Sequence, residues 1–208
     1  MGLANAPATF QAVMNQIFAP YLHKFVVVYL DDILVYGRTP AEHLANLATV
    51  LQVLQDNEFY AKLSKCSFNK TEVKFLGHYI GRDGIKVDPK KVSTVRDWPT
   101  PKTAKQIGSF LGLCNYFRKF IQGYSSLAAP LQTLSNIKGE LGPLFKNEHL
   151  VAFEGLKEAL LSAPVLALPD FSKPFEVITD ASLLGTGAVL LQDKHPIAFA
   201  SKKYIPAT

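Results

Sequence analysis

A chain of 208 residues, 48% hydrophobic and 19% charged, has enough apolar side chains for one good core or two modest ones and too many for a disordered segment. No apolar run approaches the roughly 18 residues needed to span a bilayer, and Met1 to Ala6 carry neither the basic start of a secretory signal nor a myristoylation pattern. Cys66 and Cys114 lie far apart without metal-type spacing, which predicts reduced thiols in an intracellular protein.

In chain order, Asn5 and Pro7 open a helix, since proline is tolerated in a first turn where its missing N–H would have no partner. Phe10, Val13, Met14, Ile17 and Phe18 then recur at helical spacing and predict one buried face. From Lys24 to Gly37, two apolar, β-branched runs flank the pair Asp31-Asp32, the pattern of a hairpin with two acids at its tip. Thr39-Pro40-Ala41-Glu42 is a capping box, followed by a helix whose apolar face is Leu44, Leu47, Val50, Leu51 and Leu54. Phe59–Leu63 and Val73–Ile80 are predicted strands, and Gly81–Gly84 a turn.

Asp88-Pro89 and Trp98-Pro99-Thr100-Pro101 punctuate a linker, with Trp98 read as a packing anchor. Thr103-Ala104-Lys105-Gln106 is a second capping box. Its helix is predicted to bury Ile107, Phe110, Leu111, Cys114, Phe117 and Ile121, and to show Lys105, Arg118 and Lys119 on the opposite face. Phe153, Leu156 and Leu160 mark a later helix, stopped at Ala163-Pro164. Phe175 to Ser182 is a predicted strand that terminates at Asp180, and 186–191 and 197–200 are two more.

The net charge of +5 is unevenly spread. Of 22 basic and 17 acidic residues, thirteen basic and four acidic (Glu72, Asp83, Asp88, Asp97) fall between Lys62 and Lys119, a net of +9; the rest of the chain carries nine and thirteen, a net of −4. Such a segment is either a solvated lysine-rich surface or a track for a phosphate backbone. The acidic pair is equally two-sided. Asp is an ordinary turn residue, because it tolerates tight turns and bonds its own backbone. Two carboxylates on a rigid hairpin are also hard oxygen donors suited to Mg²⁺, and so to phosphoryl transfer.

Tyr29-Leu30-Asp31-Asp32, the upstream run Gly2-Leu3-Ala4-Asn5-Ala6-Pro7-Ala8-Thr9-Phe10-Gln11 and the downstream Phe75-Leu76-Gly77-His78 together resemble the reverse transcriptase and RNase H region of gypsy-type LTR retrotransposon polyproteins. The likeness runs along essentially the whole chain. It implies an α+β fold: the C-terminal half of a right-hand polymerase palm over 1–80, a thumb or connector over 81–146, and the N-terminal half of an RNase H-like domain over 147–208. It implies RNA-directed DNA polymerisation with Mg²⁺ or Mn²⁺, on an RNA template, a DNA primer and deoxynucleotides, alongside the remainder of the polyprotein and without a membrane. Asp31 would be the metal ligand of the pair and Asp32 its support, with Asp180 the first metal ligand of the RNase H-like part. Gly2, Gln11 and Tyr29 would lie by the nucleotide and template. Phe75, Leu76, Gly77 and His78 would form the primer grip, and Lys105, Arg118 and Lys119 would touch the nucleic-acid backbone.

Two departures shape the expectation. The family has a further metal-binding Asp upstream of the Gly-Leu-x-Asn-Ala-Pro segment and an aromatic residue just before it, whereas here Met1 precedes Gly2. Only Asp180 stands for the several acids of an RNase H site. The chain is therefore expected to be a fragment that does not polymerise DNA alone; the alternative is a retroelement remnant that only binds nucleic acid.

Overall fold

The computed structural model describes residues 5–135, 137, 139–183 and 185–204. They form two compact units, one up to Phe75 and the other from Leu76 onward.

In the first unit, α1 (Ala6–Ile17) is followed by β1 (Val26–Tyr29), β2 (Asp32–Val35), α2 (Pro40–Asp56) and β3 (Glu72–Phe75). The core is small: Met14 and Phe18 from the end of α1, Val26 and Val28 from β1, Val50 and Leu54 from α2. The alternation of β1 decides which way the hairpin faces, because Val26 and Val28 point inward and Tyr29 is left half in solvent. β1 and β2 pair antiparallel, with Val26 opposite Val35 and Tyr29 opposite Asp32. Thr39 caps α2 as its sequence predicts, accepting from the Glu42 N–H at 3.2 Å. The Glu42 carboxylate accepts from Arg38 N–H at 2.8 Å, one residue before the capping position.

The predicted strand at Phe59–Leu63 does not form. Instead α2 ends in a Schellman cap, with Glu58 in the left-handed region (φ 59°), Phe59 N–H donating to Leu54 C=O and Glu58 N–H to Gln55 C=O. The cap uses up Phe59, whose ring meets Phe10 edge-on at 5.9 Å. The chain leaves as irregular backbone with one 3₁₀ turn at Leu63–Lys65, and Tyr60 is 94% exposed.

The second unit opens with β4 (His78–Gly81) and β5 (Gly84–Val87), then α3 (Pro89–Arg96), α4 (Ala104–Tyr116), α5 (Tyr124–Leu134) and α6 (Asn147–Leu161), and closes with β6 (Glu176–Ala181), β7 (Gly185–Gln192) and β8 (His195–Lys203). The predicted strand over 73–80 is thus broken at Leu76-Gly77, where both residues have positive φ (47° and 69°). Asp88 caps α3 by accepting from Lys90 N–H at 2.9 Å. Thr103 caps α4 in the same manner, while Gln106 reaches back to Lys102 N–H at 2.7 Å. The helices share one core, centred on Phe110 of α4 and Phe153 of α6 with ring centroids 4.6 Å apart; Trp98 meets Phe110 edge-on, as a packing anchor should. α4 stops at Tyr116, so Arg118 and Lys119 lie in a separate 3₁₀ turn, Arg118–Phe120, and not on a continued helix face.

β6, β7 and β8 form an antiparallel sheet in that order. A two-residue stitch ties it to the β4–β5 hairpin. Ile85 and Leu166 exchange both backbone hydrogen bonds (2.8 and 3.0 Å), and Ala167 N–H donates to Pro196 C=O at 2.7 Å. Gly84 makes the approach possible: its φ is 124°, and a Cβ there would stand 2.1 Å from the Leu166 oxygen.

Burial pushes the Cys114 thiol up to about 12, whereas Cys66 is partly accessible. Only the thiolate reacts. The folded chain should therefore give one fast equivalent with Ellman's reagent at pH 8 and the second only in denaturant. Two fast equivalents before unfolding would show the α4 core to be open.

Candidate active site at the acidic hairpin

The turn between β1 and β2 has two residues, Leu30 and Asp31, and Asp32 begins β2. Asp31 and Asp32 are both exposed, at the tip of strands whose inward face is apolar, which is the hairpin that the apolar–acid–apolar pattern predicts. Leu30 holds a φ of 50°, a conformation that costs a non-glycine residue about 1–2 kcal/mol. The strain is met by Gln11 of α1. Its Oε1 accepts from Leu30 N–H at 2.5 Å, and its Nε2 donates to Val28 C=O at 3.3 Å and to Asn15 Oδ1 at 2.8 Å. One carboxamide therefore clasps both sides of the turn that carries the acids. Tyr29, opposite Asp32, presents its ring to solvent. Gly2 lies outside the described residues.

The donor set suits a hard divalent cation. Neither Asp31 nor Asp32 forms an ion pair among the described residues, so two exposed carboxylates are available. They make a partial shell only. Among the described residues no group of three or more His, Cys, Asp or Glu side chains comes together, and Mg²⁺ held by one or two carboxylates completes its octahedron with phosphate oxygens and water.

The remaining predicted site residues fall as follows. Phe75 ends β3 in the first unit, while Leu76 and Gly77 are the positive-φ pair at the start of the second. The Leu76 carbonyl accepts from the Tyr116 hydroxyl at 2.7 Å and lies 2.6 Å from His78 Nδ1; the Gly77 carbonyl accepts from Asp88 N–H at 3.2 Å. His78 packs among Tyr116, Phe117 and Phe120. Asp180 is exposed on β6 opposite Gly187 of β7, and the strand runs on to Ala181 instead of stopping at the acid.

Lys105 is exposed in the first turn of α4, and Arg118 is exposed with its guanidinium 3.5 Å from Asn115 Oδ1. Lys119 departs from the expected solvent face. Its ammonium sits 5.3 Å from the Phe120 ring centroid, and burial holds its pKa below the usual lysine value. Lys105 thus lies on α4, and Arg118 and Lys119 in the separate 3₁₀ turn that follows it. Two contacts around the candidate site, the clasp of Gln11 on Leu30 and the hydrogen bond of Tyr116 to Leu76, have no local sequence signal; they join residues 19 and 40 positions apart.

Residues 1–80 match the family model of reverse transcriptase (RNA-dependent DNA polymerase), and residues 145–208 that of the RNase H-like domain found in reverse transcriptase. The chain is 45% identical over 201 residues to the retrovirus-related Pol polyprotein from transposon 297 of Drosophila melanogaster, covering 97% of this chain and 19% of that protein. It is 35% identical over 213 residues to the Pol polyprotein from transposon gypsy of the same organism, covering 97% and 20%. The chain thus spans about a fifth of the length of these relatives. Among solved structures, the foamy viral protease-reverse transcriptase dRH in complex with double-stranded DNA superimposes with a TM-score of 0.84 at 28% identity, over 99% of this chain and 36% of that one. The foamy viral protease-reverse transcriptase in complex with RNA/DNA hybrid gives 0.82 at 28% identity, over 99% and 28%.

Proposed function

Since this chain belongs with the reverse transcriptase segments of retrotransposon Pol polyproteins, we propose that its β1–β2 hairpin is the metal-holding tip of an RNA-directed DNA polymerase. In this reading 1–80 are the C-terminal half of the palm, 81–146 the thumb or connector, and 147–208 the N-terminal half of an RNase H-like domain. The observation that carries it is the two-residue turn, clasped by Gln11, that fixes Asp31 and Asp32 at the end of a packed hairpin.

Asp31 is the carboxylate that holds Mg²⁺ or Mn²⁺, with Asp32 beside it as support. A divalent cation held by these carboxylates would supply Lewis-acid stabilisation of the charge that develops in phosphoryl transfer. The chain's own residues do the positioning. Buried Val26 and Val28 anchor β1, the Gln11 carboxamide keeps Leu30 left-handed, and the turn then delivers Asp31 without having to order itself at each turnover. Asp180, on an antiparallel strand of the second unit, is the first ligand of the RNase H-like part. Lys105 and Arg118 take phosphates. The substrates are a DNA primer on an RNA template and deoxynucleotides; the foamy viral relatives, solved on double-stranded DNA and on RNA/DNA hybrid, support that ligand class.

Binding tests the nucleic-acid part. With about five phosphates neutralised by the basic segment, log K for an RNA/DNA hybrid should fall with log salt at a slope near −4 to −5, a loss of several hundredfold between roughly 50 and 200 mM. Fluorescence anisotropy at a series of salt concentrations measures it. A flat salt dependence, or no binding at low salt, would remove the phosphate-track reading of 62–119.

A further inference from the structure

The chain leaves α2 in a fixed direction. Asn57 Nδ2 donates to Val53 C=O at 2.8 Å, Glu58 N–H to Gln55 C=O at 3.1 Å and Phe59 N–H to Leu54 C=O at 2.8 Å, so the cap is bonded at each step. Phe59 turns inward to meet Phe10, and Tyr60, the next residue, is left 94% exposed. Tyr60 forms one wall of an open cavity of about 440 Å³, whose other walls are Leu51, Leu54 and Gln55 of α2 with Phe59 and Ala61. That volume falls within the range of small-ligand sites, about 300–1,000 Å³. The lining side chains are apolar apart from the Tyr60 hydroxyl and the Gln55 carboxamide.

Charge decides what such a cavity takes. From Tyr60 to Thr71 the chain carries three lysines, Lys62, Lys65 and Lys70, and no acid; the acids nearest in sequence on the other side, Asp56 and Glu58, precede the end of the cap. All three lysines are exposed, and none forms an ion pair among the described residues. Lys65 N–H donates to Lys62 C=O at 2.8 Å and closes a 3₁₀ turn. Positions three apart on such a turn eclipse, so both lysines stem from one side of it. Lysine is depleted from protein–protein interfaces. An exposed aromatic ring beside lysines suits an unpaired nucleic-acid strand instead, with a face for a base and cations for its phosphates. We infer that the cavity beside Tyr60 binds such a strand: one base stacks on the Tyr60 ring, the Gln55 carboxamide meets the base edge, and Lys62 and Lys65 take the phosphates. The inference goes beyond the polymerase reading, since it uses neither acid of the hairpin, and each can fail alone.

Tyr60→Ala removes the stacking face and Tyr60→Phe keeps it. The 208-residue chain and its variants are titrated by fluorescence anisotropy with three probes: an oligothymidylate, an abasic strand of the same length and charge, and a blunt duplex of that length. The wild type should prefer the oligothymidylate over the abasic strand by about tenfold, the size of one base stacked on an aromatic ring. Tyr60→Ala should lose that preference, with the melting midpoint and the affinities for abasic strand and duplex unchanged. Tyr60→Phe should keep it to within about twofold. Lys65→Gln should flatten the fall of log K with log salt on the single strand by about 0.7. A wild type that binds the strand equally with and without bases, or a Tyr60→Ala that still prefers bases, would overturn the inference and leave the polymerase reading standing. A wild type that binds none of the three probes would overturn it as well. Equal losses on all three probes with a lower melting midpoint would make Tyr60 a structural residue only. Dimerisation in sedimentation that Tyr60→Ala abolishes, without any base preference, would give the cavity to a second copy of the chain and overturn the inference too.

Discussion

On the polymerase reading proposed above, Asp31→Asn in a polymerase-competent protein containing these residues should lower primer extension by about two to three orders of magnitude, the usual effect of removing one electrostatic contact made to a developing charge. The change is nearly isosteric and falls in an exposed two-residue turn. Asn tolerates tight turns as well as Asp does, so the melting midpoint should stay within a degree or two of wild type. Loss of rate without loss of fold is the signature sought. Asp32→Asn should have a smaller effect if, as proposed, Asp32 only supports the site, since its place is already fixed by the pairing with Tyr29. Single-turnover extension at saturating nucleotide, with Mg²⁺ and with Mn²⁺, measures both. Full extension by Asp31→Asn would mean that this hairpin does not hold the reactive metal.

The largest stability effect is expected at Gly84. Its φ of 124° belongs to a region that only glycine occupies freely, and a Cβ would stand 2.1 Å from the Leu166 carbonyl oxygen. Gly84→Ala therefore combines backbone strain of about 1–3 kcal/mol with the loss of the two Ile85–Leu166 hydrogen bonds, about 1 kcal/mol each. A total of about 3–5 kcal/mol would lower the melting midpoint of the second unit by roughly 10 °C or more. Gly112→Ala is the control of opposite sign. Gly112 lies on an exposed position of α4 where an added Cβ meets nothing within 4 Å, and helix propensity alone should stabilise it by up to about 1 kcal/mol. If both substitutions prove neutral by thermal and urea melts, the Ile85–Leu166 stitch does not exist in solution.

Much of the architecture was legible where the signal is local. The apolar–acid–apolar run gave away the β1–β2 hairpin, and the Thr39 and Thr103 capping boxes placed the starts of α2 and α4. The misreadings have a common cause, a residue recruited by something other than its own periodicity. Phe59 belongs by composition to a strand, but the Schellman cap of α2 claims its N–H. Leu76 is a poor left-handed residue by propensity, yet Tyr116 and His78 hold it there, so one predicted strand became two. Lys119 follows the end of α4 instead of continuing it, and its ammonium lies over the Phe120 ring. The acids of the candidate site could be read from the chain. Gln11 was named through the resemblance as a residue by the nucleotide and template, but its hold on their turn could not be read, since only the fold brings α1 against the backbone of Leu30.

The stitch at Leu166 also bears on how the second unit is made. Ile85 and Leu166 are separated by roughly eighty residues, and every helix from α3 to α6 lies between them. Joining the ends of so long a loop costs about 4 kcal/mol of chain entropy beyond a constant, so the contact should be reached late, after those helices have packed. Once made, it passes from β5 through Leu166 and Ala167 to Pro196 of β8. A chain divided between 146 and 147 would part Ile85 from Leu166. The N-terminal piece would then end its β4–β5 hairpin in a bare edge, open to pairing with any extended strand it met.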